Sequence, residues 1–300
     1  MLVNQYLGLI YAVSAYTFWG LLPIFWKQIS HIDSIEIVMH RMVWSCVLVL
    51  GLIIIQGQGK ALFKLYKQPK LLGRLFMASI LISANWAIFI WAVNAGFIVE
   101  ASMGYFINPL INVLFGYLFF SERLRRGHWL ALSIVLLSVG YLVIAYGTVP
   151  YIALTLACSF SCYAAVKKTI SIPATHGLAI ETSFLVVPAA VYLVYLDQQG
   201  LGGFGRDIAL SGMLILGGLV TLIPLVLFAA AAKLVSMTTL GMSQYIGPTL
   251  QLICGVLLYN EPFGSERFIA FSLIWLAILI FSVDEIRHQR LRRRMINSPG

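Results

Sequence analysis

The feature that most constrains this 300-residue chain is a succession of apolar stretches, each long enough to cross a bilayer as a helix, separated by short polar loops. A hydrocarbon core of about 30 Å needs roughly 20 apolar residues, because each helical residue advances about 1.5 Å. Read this way, spans run near Gln5–Lys27, Glu36–Gln56, Leu72–Val93, Val99–Phe120, Gly127–Tyr146, Thr148–Lys167, Gly177–Leu196, Ile208–Ala232, Thr239–Tyr259 and Ser265–Val283. The expected fold is an all-α membrane protein with about ten transmembrane helices. A β-barrel is excluded because its strands would alternate apolar and polar residues, whereas these stretches are continuous. Sixty per cent of the residues are hydrophobic and 10% charged. No polar stretch is long enough for a separate soluble domain, so the bilayer is the solvent for most of the chain. The start Met1-Leu2-Val3-Asn4-Gln5 lacks the basic region of a cleaved leader and is kept as part of the first span.

The net charge of +9 invites a nucleic-acid partner, but the basic residues follow membrane topology instead. With both termini in the cytoplasm, the inner side receives Lys60, Lys64, Lys67, Lys70, Arg74, Arg123, Arg125, Arg126, Lys167, Lys168, Lys233, Arg287, Arg290, Arg292, Arg293 and Arg294. The outer side receives only Lys27, Arg206 and Arg267, leaving Arg41 within a span. That asymmetry is the positive-inside rule, and it places the Gly200 loop outside. The basic segment from Arg287 to Arg294 reads as an inside anchor touching anionic lipids. Cys46, Cys158, Cys162 and Cys254 all fall in spans and read as buried thiols; Cys158 and Cys162 share a helix face without a His or a second pair to complete a metal site. No metal or cofactor is expected.

The two halves repeat. A shift of 139 residues carries Met103, Ile107, Pro109, Gly116, Leu118 and Glu122 onto Met242, Ile246, Pro248, Gly255, Leu257 and Glu261, and Phe89 and Ala92 onto Phe228 and Ala231. A shift of 140 places Tyr11 on Tyr151 and Lys27 on Lys167. A duplicated unit of five helices must enter the membrane the second time in the opposite direction. The expected organisation is therefore two inverted five-helix repeats, 1–147 and 148–284, and a basic cytoplasmic tail, 285–300. Inverted repeats characterise many secondary transporters, which bind substrate near the midplane between the halves; a purely structural duplication is the alternative.

The polar residues inside the spans are the candidate site. Tyr105, Asn108 and Asn112 lie at i, i+3 and i+7 on one helix face, and Gln244, Pro248 and Gln251 repeat the pattern in the ninth span. With Tyr245 they are expected to line a central cavity, since polar groups in lipid face protein or water. The competing reading is hydrogen bonding between helices, at about 0.6 to 2 kcal/mol per contact. Asn85 and Trp86 lie deep in the third span, and Trp86 is a candidate contact for an apolar or aromatic substrate. The other tryptophans near span ends, Trp19, Trp26, Trp44, Trp91 and Trp275, read as interfacial belt.

Arg41, beside His40, and its repeat partner Glu181 put opposite charges at pseudo-equivalent positions about one turn into their spans. They are candidates for gates or charge filters at the two mouths, against simple snorkelling to the nearer surface. Pro109 and Pro248 are expected to bend or hinge their spans at matching places. Glu122 and Glu261 follow the fourth and ninth spans and read as structural. The G-x-G-x-x-G of Gly200, Gly202 and Gly205 follows no strand, so a dinucleotide site is rejected, and no P-loop, H-E-x-x-H or G-x-S-x-G pattern occurs. No catalytic constellation is visible.

Several stretches resemble the RarD branch of the drug/metabolite transporter superfamily, the EamA-type permeases. They are Glu100-Ala101-Ser102-Met103-Gly104-Tyr105-Phe106-Ile107-Asn108-Pro109-Leu110, His40-Arg41 with Trp44-Ser45, Asn85-Trp86, Ile180-Glu181-Thr182, and Thr239-Leu240-Gly241 leading to Gln244-Tyr245-Ile246-Gly247-Pro248-Thr249. The resemblance implies ten helices, a bacterial inner-membrane location and a transporter-like role, in a branch associated with chloramphenicol sensitivity. The superfamily includes exporters of amino acids, metabolites and drugs, so the resemblance implies a class rather than a cargo. The expectation is a secondary transporter of a small organic solute, working outward by alternating access; the alternative is a membrane-embedded binding or assembly protein.

Overall fold

The computed structural model describes residues 2–121, 123–235 and 243–297, and their secondary structure is helical. In chain order the helices are α1 (Leu2–Gly20), α2 (Leu22–Gln28), α3 (Ser34–Ile55), α4 (Gly59–Leu65), α5 (Pro69–Asn94), α6 (Ile98–Phe120) and α7 (Arg126–Tyr146). Then follow α8 (Tyr151–Lys168), α9 (Ala174–Gln198), α10 (Ile208–Leu234), α11 (Ile246–Ile253) with a π-helical turn at Cys254–Leu258, and α12 (Ser265–Asn297). Among the described residues eight segments are long and apolar enough to cross a membrane. The sixth expected span appears as α8, 18 residues long, whose Ser, Thr and two terminal Lys make it less apolar than the rest. Of the ninth, the start from Thr239 to Met242 lies outside the described residues, and what is described begins at Ser243.

Local chemistry explains the departures from plain span-and-loop alternation. The first span is broken at Leu21, because Pro23 has no N–H for the Trp19 carbonyl and its ring crowds that carbonyl. Pro248 acts in the same way on the ninth span: Gln244 and Tyr245 form a turn and α11 starts only at Ile246. Pro109, by contrast, sits inside an uninterrupted α6. The two prolines therefore occupy matching sequence positions without producing matching backbone. A short helix, α4, fills the loop after α3.

Helix ends are held by carboxylates, some from far along the chain. Asp33 accepts from the Ile35 and Glu36 amides at the start of α3 (2.9 and 3.3 Å), and Asp207 accepts from Ala209 at the start of α10 (2.8 Å). Glu261 accepts from Ile98 and Val99 (2.8 Å each), and Glu100 accepts from Ile152 (3.1 Å). Each thereby satisfies amides that the helix leaves open and puts negative charge on the positive end of α6 or α8. The structural reading of Glu261 thus has a concrete geometry, while Glu122 lies outside the described residues.

The packing is a set of helix pairs. α3 lies on α9, α6 on α11 and α7 on α12; α1 lies on α10 and α5 on α8; α6 also meets α8, and α1 meets α11. Some pairs touch backbone to backbone: a Cβ on Gly104 would come within 2.6 Å of the Ala153 carbonyl oxygen, and one on Gly20 within 2.9 Å of that of Gly247. On the α3–α10 pair, a Cβ on Gly218 would sit 2.6 Å from the Trp44 carbonyl carbon. Such small-residue approaches are the usual means by which helices associate in lipid.

Candidate functional site

The site is built where α2, α3, α5, α6, α8 and α10 converge. α3 begins at Ser34, so Arg41 lies seven residues, roughly 10 Å, along it, deeper than the sequence reading put it. Its side chain does not reach for a surface. Arg41 is 4% exposed, its Nε donates to Thr221 Oγ1 at 2.8 Å, and its guanidinium carbon lies 3.8 Å from the centre of the Trp86 ring and 5.4 Å from that of Trp26. Thr221 donates its own hydroxyl to the Gly217 carbonyl (3.0 Å), which leaves its lone pairs facing Arg41.

Arg41 is therefore not remote from the residues expected to meet cargo. It stacks on one of them, Trp86, and is close enough to Tyr105 to interact with it electrostatically. Tyr105 donates to Asn85 Oδ1 (3.2 Å), and the Asn85 amide donates to the Leu156 carbonyl (3.0 Å) and Ser159 Oγ (2.9 Å). Rings of Phe89 and Phe160 flank Tyr105 edge-on. One turn along α6, Asn108 is buried and its Oδ1 accepts from Ser161 at 2.7 Å; Asn112 is half-buried.

The residues expected opposite them occupy a second locality around α1 and α11. Gln251 is buried, its Nε2 donating to the Trp19 carbonyl (3.3 Å); its Oε1 and the Tyr245 hydroxyl are buried without a hydrogen-bond partner among the described residues. Gln244 is half-buried in the turn before α11. Tyr16, Trp19 and Phe228 form an aromatic cluster there. Among the described residues, no hydrogen bond joins this locality to Tyr105, Asn108 or Asn112.

The other charged candidates have distinct surroundings. Glu181 is 2% exposed; its Oε1 accepts from Lys167 Nζ at 2.6 Å and its Oε2 from the Tyr163 hydroxyl at 3.3 Å. His40 lies 3.8 Å from Glu36 and stacks on Phe204, ring centres 5.0 Å apart. Glu36 in turn accepts from the Gly203 amide (2.7 Å), so the glycine-rich loop is pinned against α3, with Phe204 also over Trp44.

Sequence reasoning missed Thr221, Phe204, Ser159, Ser161, Tyr163 and Lys167 as partners, each a neighbour only in space. It also assigned Trp26 to the interfacial belt, whereas Trp26 is wholly buried beside Arg41; Trp91 and Trp275 are about two-fifths exposed. Two thiols differ as well: Cys46 and Cys254 are buried, but Cys158 is exposed and Cys162 half-buried, because they face away from the α5 and α6 contacts of α8. A separate cleft of about 250 Å³ opens between Phe97, Glu100, Met103, Thr148, Tyr151 and Arg267. Among the described residues no group of three His, Cys, Asp or Glu could hold a metal.

Comparison with known proteins supplies the family. Residues 6–144 match the EamA-like transporter family. The chain is 40% identical to Protein RarD of Escherichia coli (strain K12) over 94% of this chain and 96% of that one. It is 40% identical to an "Uncharacterized transporter" of Vibrio cholerae over 96% and 95%, and 28% identical to the "Chloramphenicol-sensitive protein RarD" of Pseudomonas aeruginosa over 96% and 97%. A solved crystal structure superposes with a TM-score of 0.59 at 16% identity, covering 92% of this chain and 97% of its own, which speaks to the fold alone. The apolar helices and this kinship over nearly the whole chain converge: the chain belongs to the RarD-type family of the EamA, or drug/metabolite transporter, superfamily, a family of multi-pass secondary transporters.

Proposed function

We propose that the protein moves a small organic solute across the bacterial inner membrane by alternating access between two inverted five-helix units, 1–147 and 148–284, with the 285–300 tail and both termini in the cytoplasm. The observation that carries this reading is the pairing of helices. Shifting the chain by about one unit turns α1, α3, α5, α6 and α7 into α8, α9, α10, α11 and α12. The α1–α10 contact then becomes α8–α5, the α6–α8 contact becomes α11–α1, and α3–α9, α6–α11 and α7–α12 map onto themselves. Self-mapping pairs lie on a two-fold axis, where inverted-repeat transporters hold their substrate. Outward direction rests on the resemblance to the superfamily alone, and chloramphenicol enters as a cargo to test because one relative bears chloramphenicol sensitivity in its name.

The test is flux. Proteoliposomes containing only this protein, loaded with a labelled panel of small metabolites and chloramphenicol, should release at least one solute faster than protein-free vesicles; repeating the measurement with and without a pH gradient decides proton coupling. Saturable binding with no flux for any solute would replace the transporter with a membrane-embedded binding protein. Orientation has its own check. Single cysteines at Lys64 and Gly203, in a cysteine-free background, should react from opposite sides of the membrane.

A further inference from the structure

Arg41 is a buried cation without a counter-ion among the described residues. Among the described residues no carboxylate pairs with it, and the acids that could have reached it are engaged elsewhere. Glu36 is held by the Gly203 amide, Glu181 by Lys167 and Tyr163, Glu100 by Ile152, and Glu261 by the start of α6. Only Nε of the guanidinium is satisfied by a hydroxyl, that of Thr221. Arg41 Nη1 has no partner among the described residues, and the same is true of three more buried groups on α2 and α3: Trp26 Nε1, Trp44 Nε1 and Ser45 Oγ. Trp44 and Ser45 stand three and four residues beyond Arg41, on the same face of α3.

Four unpartnered buried groups on two neighbouring helices, three of them N–H donors and one a hydroxyl able to donate, are an unusual surplus, because buried polar groups are normally hydrogen-bonded. They are complementary to an acceptor-only group. The single positive charge matches a monoanion; a dianion would bring one negative charge into a buried site without a counter-charge. The planar fork of the guanidinium matches a carboxylate, which can accept two parallel N–H bonds. Trp86, at 3.8 Å, and Trp26, fully buried, cover the guanidinium and leave an apolar body next to the anion as the natural remainder of the ligand. The backbone holds the arrangement in place: the Gly218 approach to Trp44 fixes α10 against α3, and thereby Thr221 against Arg41.

We infer that Arg41, with the Trp26 and Trp44 indole N–H groups and Ser45, recognises a carboxylate on the cargo, and that the transported class is a monocarboxylate with an apolar or aromatic body. This rests on the transporter reading above and adds the cargo's chemistry to it.

The experiment uses the full-length protein purified in detergent and titrated calorimetrically with acetate, benzoate and indole-3-acetate, their three primary amides, and inorganic phosphate. At least one carboxylate should bind saturably, with its amide and phosphate weaker by about tenfold or more, the range expected when a charge-assisted bond is lost. Arg41→Gln should reduce carboxylate binding by about tenfold or more while the ligand-free melting temperature stays at or above the parent's, because a buried unpaired charge has been removed. Should the Gln variant not fold, Arg41→Lys supplies the readout: it keeps the charge, loses the fork, and should bind the carboxylate more weakly while still preferring it to the amide. Trp44→Phe keeps a ring without the donor and should weaken binding about threefold.

Equal binding of acid and amide, full carboxylate affinity in Arg41→Gln, or no saturable binding of any carboxylate overturns the inference. The two readings fail separately. If proteoliposomes move a neutral or cationic solute at the same rate in parent and Arg41→Gln, the anion site falls and the transporter stands. If a carboxylate binds as described but no solute moves, the anion site stands and the transporter falls.

Discussion

Arg41 and Glu181 are two buried charges on helices that pack against one another. Each lies seven residues into its helix, from Ser34 to Arg41 in α3 and from Ala174 to Glu181 in α9. Their surroundings differ completely. Glu181 has a cation at 2.6 Å and a phenol at 3.3 Å, so both of its oxygens are engaged by the protein. Arg41 has a hydroxyl on Nε, the Trp86 and Trp26 rings 3.8 and 5.4 Å from its guanidinium carbon, and an Nη1 with no partner among the described residues. Among the described residues, two packed helices thus carry one charge neutralised by the protein and one without a counter-ion. Burying an ion without a counter-charge opposes folding, and this is the cost that the proposed carboxylate would offset at Arg41.

The comparison is broken or sharpened most strongly at Lys167. Lys167→Met leaves Glu181 buried with only Tyr163, and should lower stability by about 3 kcal/mol, measured by thermal or denaturant unfolding in detergent. A loss near zero would mean that Glu181 is as open as Arg41, and the contrast would disappear. Next is Glu261→Gln, which keeps the shape but removes the charge from the start of α6. Its expected effect is a loss of about 1 to 2 kcal/mol with transport per folded molecule unchanged.

Asn108→Ala removes the acceptor of Ser161 and should cost about 1 kcal/mol. Gln244→Ala, in a turn of partial burial, should leave stability almost unaltered and reduce transport per folded molecule. Variants at Asn108 and Gln244 that match the parent in solute affinity would remove these residues from the cargo site. The smallest stability effect is expected at Arg41 itself: Arg41→Met should fall within about 0.5 kcal/mol of the parent or exceed it. A loss as large as that of Lys167→Met would show that Arg41 is a structural cation after all.

The all-helical, membrane-crossing character and the places of the long apolar helices were readable in the sequence because they rest on length and hydropathy; the repeat and the roles of Arg41 and Glu181 are sequence readings that belong to the proposal. What joins the helices was not readable. Thr221 lies 180 residues from Arg41 and Glu261 lies 163 from the amide of Ile98; no local pattern marks such partners. Trp26 looked interfacial because it is near a span end, yet the break at Leu21 turns α2 inward and buries it. Lys167 was read as a topological charge and not as the partner of Glu181, since its place at the end of α8 fits the positive-inside rule equally well. The unequal backbone at Pro109 and Pro248 was hidden too, because a proline's effect depends on whether neighbouring packing holds the helix through the missing bond.

The glycine approaches carry a mechanical consequence. Where Gly104 meets Ala153 and Gly20 meets Gly247, main chain lies against main chain and the room for even a methyl group is gone. Joints of that kind behave as welds, so α6 with α8, and α1 with α11, travel as fused bars. Ring contacts between helices outside these pairs, Tyr16 and Trp19 of α1 with Phe228 of α10 and Phe89 of α5 with Tyr105 of α6, present flat faces and edges that can shift more readily than main chain held against main chain. Each of these pairs joins a helix from the first part of the chain to one from the second, so a motion that preserves the glycine contacts would carry the two helices of a fused pair together.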